Sequence, residues 1–122
     1  IYIAPGDYHV TVEKDGTNKV LRLNQGPKEN FCRPAADPML RSMAQAYGPN
    51  ILTVILTGMG SDGTKGSQVI VDGGGTLIAQ DEDTSVVWGM PGSVATAGLC
   101  SAVAPIDDIA SKVMSFASRG VL

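Results

Sequence analysis

Residues 51–66, ILTVILTGMGSDGTKG, constrain this chain more than any other stretch: an apolar run that breaks abruptly into glycines. Val54, Ile55 and Leu56 suit a strand buried in a parallel sheet, and Gly58, Gly60 and Gly63 let the backbone turn sharply at its carboxyl end. In open α/β sheets, ligands and reactive groups collect outside that end. The one acid in the turn, Asp62, therefore has two readings: the N-cap of a helix starting at Gly63, or part of a reactive site. The two are compatible, because a positive helix terminus favours the ionised carboxylate that an imidazole-orienting acid requires.

The remaining pattern supplies the frame. Residues 1–4, 8–13 and 19–23 have strand character, with turns at Pro5-Gly6-Asp7 and Lys14-Asp15-Gly16-Thr17-Asn18. Val10 and Val12 alternate with Thr11 and Glu13, which predicts an antiparallel hairpin with one wet face. A polar loop over 24–36 leads to Asp37-Pro38, an N-cap acid followed by a first-turn proline. Leu40, Met43, Ala44 and Tyr47 then recur at helical spacing until Gly48-Pro49. After the strand at 51–57, a helix runs through Ser67–Val71 to Gly73-Gly74-Gly75, and a strand over Thr76–Ala79 ends in Gln80-Asp81-Glu82-Asp83. Pro91 starts a short helix through Ala97, Ala102–Ala104 form a strand, and a last helix from Ile106 puts Ile109, Ala110, Val113 and Ala117 on one face. From residue 37 onward, helix and strand alternate. The expected fold is α/β: part of a doubly wound, mostly parallel sheet with an N-terminal antiparallel hairpin. Three parallel strands are few for that architecture, and the chain opens on Ile1 inside strand-like sequence, so it reads as a piece of a longer domain.

Composition narrows the function classes. The chain is 43% hydrophobic and 17% charged, which suits a folded domain rather than disorder. No apolar run nears the roughly 20 residues that span a bilayer, and no basic-then-apolar leader opens the chain. Neither membrane insertion nor export is expected. The formal charge is −3, with nine basic and twelve acidic residues and no basic block, which argues against nucleic acid as a partner. Cys32 and Cys100 lie far apart without Cys-x-x-Cys spacing and read as cytosolic thiols. No metal or other cofactor is expected.

Three features carry candidate chemistry. Gly58-Met59-Gly60-Ser61-Asp62-Gly63 matches Gly-x-Gly-x-x-Gly literally, with Asp81 at the end of the next strand where a ribose-binding acid would stand. A dinucleotide-binding module is thus one alternative, but Asp62 would share the pyrophosphate's space with a like charge. His9, the only histidine, has no Gly-x-Ser-x-Gly elbow to serve; Ser61, Ser67 and Ser85 have no second base, and a pairing with Cys32 has no support in the spacing. His9 reads as a hydrogen-bonded structural residue, and Lys65 as a solvated charge. Met59, Met90 and Trp88 suit core or pocket lining, with Met59, in a glycine turn, not deeply buried. A non-catalytic α/β interaction domain, in which Asp62 only caps a helix, is the other alternative.

Ala4-Pro5-Gly6-Asp7-Tyr8-His9, Arg33-Pro34 with Asp37, Leu56-Thr57-Gly58-Met59-Gly60-Ser61-Asp62-Gly63 and Gly89-Met90-Pro91 resemble, in order and spacing, the catalytic domain of the CheB-type protein-glutamate methylesterases of bacterial chemotaxis. The similarity covers essentially the whole chain and is most specific at Thr-Gly-Met-Gly-x-Asp-Gly. It implies a cytoplasmic serine hydrolase that removes methyl groups from glutamate γ-esters on chemoreceptors and deamidates receptor glutamines, using a Ser-His-Asp triad and no cofactor. It implies that Asp62 is the triad acid and that Met59 and Gly60 form the active-site turn, a backbone N–H there helping to bind the oxyanion. The family's serine and catalytic histidine would lie upstream of Ile1, with a phosphorylatable receiver domain joined at the amino side, and this piece alone would be inactive. One departure is Ala35, where the family often has serine after Arg-Pro.

Overall fold

A computed structural model describes residues 1–119. Strands β1 (His9–Asp15) and β2 (Asn18–Asn24) form an antiparallel hairpin closed by Gly16-Thr17, with Asp15 opposite Asn18. Helix α1 (Ala36–Tyr47) follows. Then β3 (Leu52–Ile55), α2 (Thr64–Asp72), β4 (Thr76–Gln80), α3 (Gly89–Thr96), β5 (Ala102–Ala104) and α4 (Ile106–Ser118) alternate.

The sheet order is β3-β4-β5, all parallel. Crossovers that advance in one direction along a sheet put their helices on one face when both have the usual right hand. Accordingly Ile55, Leu77 and Ala79 pack with Val94 and Leu99 on the α3 side. Ile78 and Ala104, on the opposite face, pack with Ile109, Val113 and Phe116 of α4. Successive residues of β4 thus point to opposite cores, as a strand's period of two requires. A third cluster, Leu40, Ile51 and Ile70, ties α1 to α2. Burying each such side chain contributes about 1.5–3 kcal/mol. The α/β class, the hairpin and the parallel sheet match the expectation.

Several boundaries move. Residues 1–4 form no strand; Ile1, Tyr2 and Ile3 are exposed, and among the described residues no strand pairs with them. The strand expected at 51–57 stops at Ile55, and Leu56 is exposed because the chain has already left the sheet. The hairpin is wetter than its alternation suggests: His9 and Val12 are its buried residues. On α4 the inward stripe is Ile109, Val113 and Phe116, while Ala110 and Ala117 face out. Tyr47 leaves the expected α1 stripe for the surface, where the Lys19 ammonium sits 5.2 Å from its ring centre.

Candidate active site

The turn after β3 takes its shape from its glycines. Gly60 and Gly63 have φ of +88° and +94°, a region side chains with a Cβ rarely adopt. The turn is held from the next crossover: Gly58 N–H donates to the Val87 carbonyl at 3.0 Å, and Met90 N–H donates to the Gly58 carbonyl at 2.9 Å. A Cβ on Gly89 would lie 2.8 Å from Gly58 O, Gly60 N and Gly60 O, so only glycine lets the two segments approach this closely. The Gly89-Met90 segment is therefore a backbone clamp on the turn. Met59 is 82% exposed, as its place in a glycine turn suggested.

Asp62 is buried, 8% exposed. Its carboxylate does not cap its own helix: Gly63 is the N-cap of α2 and, having no side chain, makes no cap bond itself. Instead Ala36 N–H donates to Oδ2 at 2.6 Å and Asp37 N–H to Oδ1 at 3.2 Å, so Asp62 caps α1 from across the fold. Asp37 makes the reciprocal contact. Expected as the N-cap of α1, it sits one residue inside the helix, and its Oδ1 accepts the Gly66 N–H in the first turn of α2 at 2.7 Å. Each helix start is thus satisfied by the other's acid. Asn30 bridges the two, its Nδ2 donating to Asp37 Oδ2 and Asp62 Oδ1 at 2.8 Å each. The backbone N–H groups and amide dipole compensate two neighbouring carboxylates that would otherwise repel.

Asn30 is delivered by a tight turn. Asn30 and Phe31 have φ of +53° and +64°, and Glu29 and Cys32 exchange both backbone hydrogen bonds, at 3.1 and 2.9 Å. Two successive positive φ values mark a type I′ turn, which suits asparagine. Arg41 on α1 grips the base of the turn by two parallel hydrogen bonds to Glu29, each 2.8 Å. That bond draws the Glu29 carboxyl below its usual range and raises the Arg41 guanidinium. Farther back, Arg33 holds Asp7 at 2.7 and 3.0 Å and lowers its carboxyl likewise. An open cleft of about 260 Å³ lies in front of this assembly, lined by Asn30, Phe31, Met59, Ser61 and Asp62 among others.

The structure brings Met59, Gly60 and Asp62 to one cleft and leaves His9 out of it. Ala35 N–H donates to His9 Nδ1 at 3.2 Å, which leaves Nε2 to donate to the Pro27 carbonyl at 2.9 Å. Both ring nitrogens are committed to backbone, so His9 is structural, as expected. Asp81 accepts from the Thr84 N–H and hydroxyl of its own turn. The Gly66 N–H at the start of α2 is already taken by Asp37, so the anion slot a dinucleotide needs is filled by a carboxylate. The dinucleotide alternative is not favoured. Cys32 is an exposed thiol, and burial raises the pKa of Cys100. Among the described residues no cluster suited to a metal occurs, and no helix is long and apolar enough to cross a membrane. Sequence reasoning missed Asn30, the capping role of Asp37 toward α2 and the clamp at Gly89. The Asn-Phe pair beside Arg-Pro was visible, but its bridging role depends on two residues far along the chain.

Comparison with known proteins places this geometry. Residues 1–113 match the family model described as CheB methylesterase. A protein-glutamate methylesterase/protein-glutamine glutaminase of Paramagnetospirillum magneticum is 66% identical over 119 residues, 98% of this chain and 31% of that protein. One from Rhodospirillum rubrum is 62% identical, with the same coverage of 98% and 31%. The chain therefore spans about a third of the curated relatives it matches. The crystal structure of the Thermotoga maritima CheB methylesterase catalytic domain superposes with a TM-score of 0.91 at 42% identity, covering 94% of this chain and 61% of that one. The chain belongs to the CheB methylesterase family.

Proposed function

We propose that this chain is the C-terminal portion of a methylesterase catalytic domain, and that the intact protein is a cytoplasmic hydrolase of glutamate γ-methyl esters and glutamine side-chain amides on chemotaxis receptors. The serine and histidine of its triad come from sequence upstream, as does a receiver domain at the amino side. The serine Oγ attacks the ester carbonyl carbon while the imidazole takes its proton. The imidazolium then protonates the departing methoxide, or the amine in deamidation, and water hydrolyses the acyl-serine by the same route in reverse. Asp62 accepts the second ring N–H and stabilises the imidazolium. A backbone N–H of Met59 or Gly60 faces the oxyanion, an interaction worth about 10²–10³ in rate.

One observation carries the reading. A carboxylate offers about four acceptor directions. In Asp62, two on Oδ1 and one on Oδ2 are filled by donors that fix its plane, and it opens onto a cleft. One direction on Oδ2 remains for an imidazole. The test is Asp62→Asn in the intact protein. Turnover of a glutamyl γ-methyl ester should fall by on the order of 10⁴. Because both oxygens accept N–H groups, an amide can satisfy only one side, so the melting temperature should fall as well. Assays are run below the variant's own transition. A folded variant with near-normal esterase rates would refute the assignment.

A further inference from the structure

We propose that Phe31, together with Met59, forms an apolar lip that selects substrate in polypeptide form, by seating an apolar side chain next to the scissile glutamyl ester. This deepens the reading of Asp62 as the triad acid and rests on it.

Phe31 combines two unfavourable circumstances. The residue is 98% exposed, and its φ of +64° lies in the left-handed region that bulky residues avoid. The second central position of such a turn ordinarily falls to glycine, which would satisfy the backbone here without presenting an aromatic ring to water. The turn itself does not need the ring. Its geometry is held by the Glu29–Cys32 backbone bonds, by Arg41 on Glu29, and by the Asn30 amide on the two acids. Strain that surrounding structure over-determines, at a position beside a reactive group, points to use of the side chain held there.

Placement says what that use is. Asn30 is hydrogen-bonded inward to Asp62, and the next residue of the turn, the exposed Phe31, lines the same cleft. The same cleft is lined by Met59, 82% exposed and carried on the clamped glycine turn. A rigid aromatic and a flexible thioether on one cleft make an adaptable apolar grip. Asp62 is the buried member of this lining and Phe31 and Met59 the exposed ones, so the grip reaches residues flanking the reacting side chain rather than the ester itself. A peptide's neighbouring Ala, Val or Leu fits that description, and an isolated amino-acid ester has nothing to place there.

The experiment uses the intact protein with two substrates: a helical peptide carrying one glutamyl γ-methyl ester flanked by alanine and leucine, and N-acetyl-glutamate γ-methyl ester amide. Phe31→Ala should raise the peptide KM and lower the ratio of the two kcat/KM values, peptide over small ester, by about tenfold. Phe31→Leu should recover most of that ratio. The melting temperature of Phe31→Ala should match that of the parent. An unchanged ratio, an equal loss on both substrates, or a lowered melting temperature from a ring packed elsewhere in the intact protein would each overturn the proposal while leaving the role of Asp62 standing. Failure of the parent protein to hydrolyse either ester would instead overturn the reading beneath it.

Discussion

Ala35 shows how far a local rule reaches. It is the N-cap of α1 with no side-chain cap bond, at a place where serine would ordinarily bring about 1 kcal/mol. Here that gain is unavailable. The first two N–H groups of α1, on Ala36 and Asp37, already bind Asp62, and the third position is Pro38, which has none. Ala35→Ser should therefore change stability by less than about 0.5 kcal/mol, measured by urea unfolding of the intact protein. A gain of a full kcal/mol would mean that the Asp62 cap is weaker than its geometry implies. The same accounting explains why Asp62→Asn is not the mild change that a simple cap-for-cap exchange predicts.

Helices α1 and α2 meet at their starts, where each acid serves the other's backbone, and Gly66 sets how closely they approach. A Cβ there would fall 2.7 Å from Leu40 Cβ and 3.1 Å from Asp37 Oδ1. Neither neighbour can retreat without cost, since Leu40 is buried in the cluster with Ile51 and Ile70 and Asp37 is held by Asn30 and Gly66 itself. Gly66→Ala should destabilise by about 2 kcal/mol in denaturant titrations, despite the better helix propensity of alanine. Because the displaced Asp37 would also shift the Asn30 bridge, esterase activity should drop in the folded variant. Stability equal to the parent would show that the helices can slide apart freely.

Acid should loosen the periphery of the molecule before its core. Both Glu29 and Asp7 have carboxyls lowered by an arginine partner, Arg41 and Arg33 respectively. A lowered folded value contributes stability above the unfolded value, and that contribution is lost as pH falls through the folded one. These pairs are largely exposed, so their effect on global stability is small. Their local effect is larger, because they anchor the segment that carries Asn30 and Phe31. Hydrogen-exchange protection at Glu29 and Cys32 should fall on acidification below the ordinary carboxylate range while the amides of β4 stay protected. Simultaneous loss at both places would assign the acid transition to the core instead.

Much of the architecture was legible as pattern. The alternation from residue 37, the hairpin, the parallel strands and the position of Asp62 past a strand end all follow from spacing of apolar residues and turn formers, which act over a few residues. His9 was legible as structural because no nucleophile had a spacing that called for it. What escaped were relations between distant residues: Asp62 with Ala36 and Asn30 with Asp62 are 26 and 32 positions apart. Residues 1–4 likewise had strand composition without a partner among the described residues, and a strand exists only as half of a pair. Local periodicity thus fixed which segments could become helix or strand. Which acid would neutralise which helix start, and which side chain would be left facing the cleft, was settled only when α1 and α2 crossed, because hydrogen bonds depend on distance in space and carry no trace in residue order.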